Sequence, residues 1–340
     1  MSEDDMTDQT SILRLPLTPY FHPTTVVFID DNESFLTSLD LELPLGWAYR
    51  CFTDPLEAFE FLQQPPSIKP LIERCFSVEH SDRLAPTVHL NLGTIEQEVN
   101  HVERFERISV VIVDYAMPTL NGLDFCAKMS DPYVRKALLT GVADEKVAVE
   151  AFNAGIIHKF IQKNTVLAVN NLLKFVGDLQ VEYFHQYLAQ LNATLALHPP
   201  GFLLNPAVQE HVLGVMRELH IVEYYLVNDP PGFLLGRADG SMFRLIVTDD
   251  ASLAGDQRTL EQHEAPPAIR RKLARREGVP YFTESPEDYL GHEPYPWHDN
   301  FVPAARVANT EWYVGVMEDP PLDIDFDPGR SSYDAYLANL

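Results

Sequence analysis

The chain has 340 residues, 46% of them hydrophobic, which is ample for one large or two ordinary domains. A formal net charge of −25 argues against nucleic acid and anionic membranes as default partners, and no apolar run reaches the roughly eighteen residues of a membrane span. A cleavable leader is not expected, and Cys51, Cys75 and Cys126 have neither metal nor disulfide spacing, which fits a reducing cytoplasm.

Residues 1–23 are polar, acidic at first and then rich in Pro and Thr, and read as a flexible tail. Residues 24–31 (TTVVFIDD) form an apolar run that ends in Asp30 and Asp31, and helices are expected over 33–43 and 55–63. The stretch 65–107 is patterned in pieces. Residues 68–76 read as a short helix and 81–92 as irregular. Ile95, Val99, Val102 and Phe105 have the spacing of a helix with one buried face. Residues 108–122 (ISVVIVDYAMPTLNG) carry a continuous β-branched run at Val110–Val113, as a strand covered on both faces requires, and place Asp114 where the run stops. Helices over 122–129 and 144–154 alternate with short runs at 136–141, ending near Thr140, and at 159–164, carrying Lys163. The order β–α–β–α predicts a doubly wound parallel sheet, whose ligands gather at the carboxyl ends of the strands.

That edge would carry Asp30, Asp31, Asp114, Thr140 and Lys163. Clustered carboxylates repel one another, and a hard divalent cation such as Mg²⁺ relieves the repulsion. Asp114 is placed to attack a phosphoryl group and become an aspartyl phosphate. A metal and a lysine would offset the charge on the transferred oxygens, and a hydroxyl would report the new group.

With these motifs in this order, residues from about 24 to about 175 resemble the receiver domain of bacterial two-component response regulators, the CheY-like fold with strand order 2-1-3-4-5. The resemblance implies that Asp114 is the phosphoacceptor. It implies Mg²⁺ ligation by Asp30, Asp31, Asp114 and the backbone carbonyl of Ala116. Thr140 and Phe160 match the switch positions and Lys163 the phosphoryl-binding lysine. The implied partner is a sensor histidine kinase or phosphotransfer protein. Two features depart from the family: Asn164 stands where a proline usually follows the lysine, and 65–107 is an insertion. The insertion is expected either to build a docking or dimer surface or to pack on its own domain.

A long amphipathic helix is expected over 165–198, with Leu172, Val176, Leu179, Tyr183, Tyr187, Leu191 and Leu195 along one stripe. It would link two domains as a signalling helix. Pairing in a homodimeric coiled coil and packing on the second domain compete for its stripe. Residues 199–340 are expected to form an α+β output domain. It would have an antiparallel sheet of four or more strands, PAS-like by loose analogy, with a hairpin turned at Asp239-Gly240 and a closing strand pair turned at Asn309-Thr310. The tail after Glu318 is expected to lie extended over the surface. Arg270, Arg271 and Arg275 belong to a basic helix, read as a solvated face or as an anion or partner patch.

The sequence therefore predicts a cytoplasmic bacterial response regulator, a phosphoprotein of a phosphorelay, whose output domain binds a protein or small ligand. Beyond the receiver's own phosphoryl transfer and hydrolysis, no metabolic activity is expected. The alternatives are an output enzyme of unrecognised, nucleotide-related class or DNA binding through the 270–276 helix.

Overall fold

A computed structural model describes residues 17–65, 69–79, 87–141, 144–163, 169–196, 199–281, 297–321 and 326–340. The chain begins with β1 (Tyr20–Phe21), β2 (Thr25–Ile29), α1 (Glu33–Glu42), β3 (Tyr49–Phe52) and α2 (Pro55–Leu62). The insertion adds α3 (Leu71–Arg74), β4 (Phe76–Glu79), β5 (Thr87–Leu90), α4 (Leu92–Glu96) and two 3-10 turns. Then come β6 (Ile108–Asp114), α5 (Gly122–Lys128), β7 (Arg135–Thr140), α6 (Glu145–Asn153), β8 (Lys159–Gln162), α7 (Val169–Tyr187) and α8 (Ala189–Leu195). The remainder is α9 (Pro206–Glu218), β9 (Glu223–Val227), β10 (Gly232–Gly236), β11 (Met242–Asp249), α10 (Asp250–Gln262), α11 (Pro267–Ala274), β12 (Gly278–Pro280), β13 (Phe301–Arg306), β14 (Trp312–Glu318), α12 (Pro328–Ser331) and α13 (Tyr333–Leu337).

Strands β3-β2-β6-β7-β8 form a parallel sheet, the expected order 2-1-3-4-5 when only the receiver strands are counted. Helices cover both faces, which explains why β2 and the end of β6 are apolar without alternation. Leu36 and Leu39 of α1 and Leu172, Val176 and Leu179 of α7 cover one face. Ala58, Phe125, Cys126, Ala148 and Ala151, from α2, α5 and α6, cover the other. Asn32, Asp54 and Asn121 cap α1, α2 and α5 with their side chains, so the helices after β2, β3 and β6 start at defined residues.

The second sheet is antiparallel, in the order β1-β9-β10-β11-β14-β13-β12. The Asp239-Gly240 hairpin is present, with Gly240 at φ 86, and Asn309 takes φ 60 in the turn before β14. Helices α10 and α11 pack Leu253, Leu260, Ile269 and Leu273 against Ile246, Val302 and Tyr313.

Several expectations need correction. Residues 17–23 are not a loose tail: β1 pairs with β9, at the edge of the second sheet. Residues 1–16 lie outside the described residues, as does Asn164. The insertion's patterned stretch is not one helix but α4 followed by two 3-10 turns, although Ile95, Val99 and Phe105 are fully buried. It packs neither on its own domain alone nor as a free surface, because α4 lies on β9 of the second domain. The long helix breaks at Leu188 into α7 and α8. Its stripe is divided between two cores. Leu172, Val176 and Leu179 belong to the receiver, whereas Tyr183, Phe184, Tyr187, Leu188 and Leu191 lie in the core of the second domain. Packing within the chain thus takes the surface a coiled coil would need. The terminal tail is also not simply extended, since its last residues fold as α12 and α13.

These segments interlock the two halves. Arg104 and Glu223 form a buried bidentate pair, with Nε–Oε2 and Nη2–Oε1 both at 2.8 Å. The Tyr225 hydroxyl donates to Glu223 at 2.6 Å, and Arg104 donates to the Ser331 carbonyl at 2.7 Å. Every charge in the pair is thereby met, which is the condition for tolerating buried ions. Gly236 makes the room: a β-carbon there would lie 2.8 Å from Glu223 Cγ. At the terminus, the Tyr333 hydroxyl accepts from Ala48 N at 3.0 Å and donates to Gly46 O at 3.1 Å. Tyr336 Oη and Thr25 Oγ1 are hydrogen-bonded at 2.7 Å.

Candidate functional site

The carboxyl edge of the parallel sheet gathers the side chains that the sequence placed at strand ends. Asp30 follows β2 and is fully buried, whereas Asp31 beside it is exposed. Asp114 closes β6 and is 4% exposed, so it is reachable only from the edge. One carboxylate oxygen from each of the three lies within 4.8 Å of the others. Gly122, at the start of α5, passes directly over the end of β6. A β-carbon there would run into the Asp114 carbonyl, so only glycine fits.

Lys163, just past β8, reaches back over this cluster. Its Nζ lies 2.7 Å from Asp30 Oδ2 and 3.0 Å from Asp114 Oδ1. Burial alone would lower the pKa of this amine, but hydrogen bonds and charges from Asp30 and Asp114 outweigh it and raise the value. Burial raises the Asp114 pKa, Lys163 opposes that, and the charges of Asp30 and Asp31 reinforce it. The site thus holds more negative charge than one lysine offsets. The donor set is all oxygen, with Asp31 open to solvent, and it fits a hard divalent ion of the Mg²⁺ type.

Thr140 ends β7 fully buried, and its Oγ1 has no hydrogen-bond partner among the described residues. A buried hydroxyl left unsatisfied costs free energy, so it marks either stored strain or a ligand yet to arrive. Phe160 lies half-buried on β8 and packs with the cluster that contains Met117, Ala148 and Ile157. Ala116 is exposed in the loop that leaves Asp114. The structure therefore brings Asp30, Asp31, Asp114 and Lys163 together and sets Thr140 and Phe160 on the adjoining strands.

The second domain offers no comparable convergence among its described residues. Arg271 is exposed, Arg275 lies 3.7 Å from Glu277, and Arg276 pairs with Asp250 at 2.9 Å. Arg270 is half-buried on α11, and its Nε has no hydrogen-bond partner among the described residues. A cleft of about 400 Å³ opens elsewhere, between the receiver and the insertion, with Arg50, Phe61, Glu103, Arg107, Lys128 and Tyr336 in its lining. Two features are not visible in the sequence, one at the carboxyl edge of the parallel sheet and one across the halves. One is Phe35, whose ring lies under Lys163, and the other is the Arg104–Glu223 pair. Only the spacing of Phe35 from the acidic pair could have signalled the first.

Fold and site together define a receiver-type α/β domain fused to an antiparallel-sheet domain. No family model matches the sequence, and no curated protein matches it. Among solved structures, the response regulator LqsR of Legionella pneumophila aligns with a TM-score of 0.72 at 30% identity, covering 96% of this chain and 96% of that one. The chain belongs to the response regulators, and the likeness extends through both halves. A CheY-like receiver domain protein from Methanospirillum hungatei aligns at 16% identity over 48% of this chain and 98% of its own, with a TM-score of 0.33. The receiver domain of an HD domain-containing protein from Pseudomonas fluorescens aligns at 17% identity over 51% and 97%, with a TM-score of 0.35. Among the described residues, no helix is long and apolar enough to cross a membrane.

Proposed function

We propose that this response regulator is switched by phosphorylation of Asp114. A histidine kinase or phosphotransfer protein in the bacterial cytoplasm would supply the phosphoryl group. The observation that carries the reading is the cluster itself: three carboxylates within 4.8 Å and a lysine bridging two of them. In the transfer, Asp114 Oδ bonds to phosphorus as the P–N bond of the donor phosphohistidine breaks, and the imidazole leaves with a proton. Hydrolysis by water returns the carboxylate and inorganic phosphate. Asp30, Asp31, Asp114 and the Ala116 carbonyl would hold Mg²⁺, which supplies charge neutralisation for the phosphoryl oxygens. Lys163 donates to those oxygens, and the buried Thr140 hydroxyl acquires an acceptor, drawing β7 toward Asp114. Phe160 answers on β8.

Helix α7 supports a route onward, because its first half covers the receiver sheet and its last turns lie in the second domain's core. Lys159 of β8 is tied to α7 through Asp178 at 3.6 Å and Glu182 at 3.3 Å, one residue from Phe160. The second domain then binds a protein or small ligand. DNA binding through α11 is disfavoured by the acidic chain and by the acidic partners of Arg275 and Arg276. The test is incubation with phosphoramidate and Mg²⁺. The wild type should gain one hydroxylamine-labile phosphoryl group, mapped by mass spectrometry to Asp114, and Asp114→Asn should gain none. Labelling at another residue, or none in the wild type, sinks the reading.

A further inference from the structure

We propose that Phe35 is a positioning residue for Lys163, its ring face holding the ammonium group over Asp30 and Asp114. The catalytic consequence rests on Asp114 being the phosphoacceptor; the positioning itself does not.

The contacts close a circuit. Lys163 Nζ lies 5.2 Å from the centre of the Phe35 ring while it bridges Asp30 and Asp114. Asp30 Oδ1 in turn accepts from the backbone N–H of Asn32 at 3.0 Å. The Asn32 side chain then caps α1 by accepting from Phe35 N at 3.1 Å. The carboxylate that attracts the lysine thus also fixes the helix start that presents the ring. Phe35 packs on the apolar cluster under α1 and α7, which limits its motion.

Little else holds the lysine in place. Lys163 stands at the end of a strand of only four residues, its side chain 30% exposed. The next residue is Asn164, which imposes no fixed φ as a proline would. A lysine carries its charge on a flexible four-carbon stem, and two carboxylates draw the charge without fixing the side from which it approaches. The electron-rich face of a ring attracts a cation within about 6 Å and competes weakly as a hydrogen-bond acceptor, so Nζ keeps its protons for oxygen. It also keeps its charge distribution when Asp30 becomes engaged with a divalent ion, whereas the pull of Asp30 on the lysine then weakens.

At a part-exposed site this attraction converts to roughly a two- to fivefold effect. The experiment uses the full chain with Phe35 replaced by mono-, di- and trifluorophenylalanine. These strip the negative ring face in steps at nearly constant shape. Phe35→Trp and Phe35→Leu accompany them. The first readout is the NMR order parameter of the Lys163 ε-methylene, which needs neither metal nor phosphoryl donor. The second is the phosphorylation rate with phosphoramidate and Mg²⁺. Order should fall stepwise along the fluorinated series. The rate should fall about two- to fivefold in the trifluoro and Leu forms and be retained in Phe35→Trp. An order parameter that stays flat across the series overturns the proposal, whatever the rates. If the order falls but even the wild type accepts no phosphoryl group, the positioning stands and the reading of Asp114 fails.

Discussion

The two edges of the receiver sheet have been put to opposite uses. At the carboxyl edge, every hydrogen bond and ion pair described for Asp30, Asp114 and Lys163 stays within the receiver. At the amino edge, Thr25, Gly46 and Ala48 are gripped by Tyr333 and Tyr336 from the far end of the chain. The first edge keeps unbalanced charge and, among the described residues, a buried hydroxyl without a partner, and it is costly to stability. The second satisfies its polar groups and contributes to stability. Chemistry and anchorage are separated by the length of the strands, so a charge change at one edge does not have to break the contacts at the other.

The largest expected effect comes from breaking the anchorage. Arg104→Ala leaves Glu223 and the Tyr225 hydroxyl buried around an unpaired charge, which should cost about 3–5 kcal/mol in chemical denaturation. Since the pair joins the insertion to the second domain, the wild type should unfold the two halves together, and the variant should separate the transitions. A single unchanged transition would show that the pair does not couple them.

Acid offers the next test. His22 is buried against Phe105 and Phe184 at the same junction, and burial pushes its pKa down from 6.5 to about 3. The unfolded chain binds a proton there below about pH 6.5, and the folded chain does not until about pH 3. Stability from this residue is therefore complete above the upper value and lost progressively as pH falls through the window. His158, lowered to about 4 chiefly by burial, adds in the same direction. His22→Phe should flatten the pH dependence of the melting temperature between those values.

Smaller effects separate the edges one side chain at a time. Tyr336→Phe removes the bond to Thr25 and should cost about 1 kcal/mol while leaving the phosphorylation rate unchanged. Asp114→Asn should do the reverse, abolishing phosphorylation and raising the melting temperature modestly. The sign follows from the raised pKa. A carboxylate that the fold holds above its ordinary value is destabilising once ionised, and an amide removes that charge. Loss of stability in Asp114→Asn would contradict the view that this edge is under electrostatic strain.

The contrast also explains what the sequence disclosed. The receiver was legible because each site residue ends a local apolar run, and runs such as Val110–Val113 announce buried strands without knowledge of any partner. Asp239-Gly240 disclosed its hairpin for the same local reason. The interlock was not legible, since β1 is two residues long and Arg104 and Glu223 meet only in three dimensions. Tyr333 and Tyr336 sit in a short helix after an acidic, Pro-containing stretch, and their burial is decided by Phe105 and Ala48, far away in the chain. The apolar stripe along α7 and α8 is legible in the sequence as three- and four-residue spacing. That it serves two cores follows from the placement of the second sheet, which periodicity does not encode.

A charge event at the free edge should reach the second domain through α7 while the anchored edge stays intact. Amide hydrogen exchange on the full chain, with and without beryllofluoride and Mg²⁺, tests it most directly. Protection should change in β7, β8 and along α7 to Tyr187, with no change at Ala48 and Thr25 and no response in Asp114→Asn. Exchange that changes at the amino edge but not along α7, or that changes equally in Asp114→Asn, would contradict it.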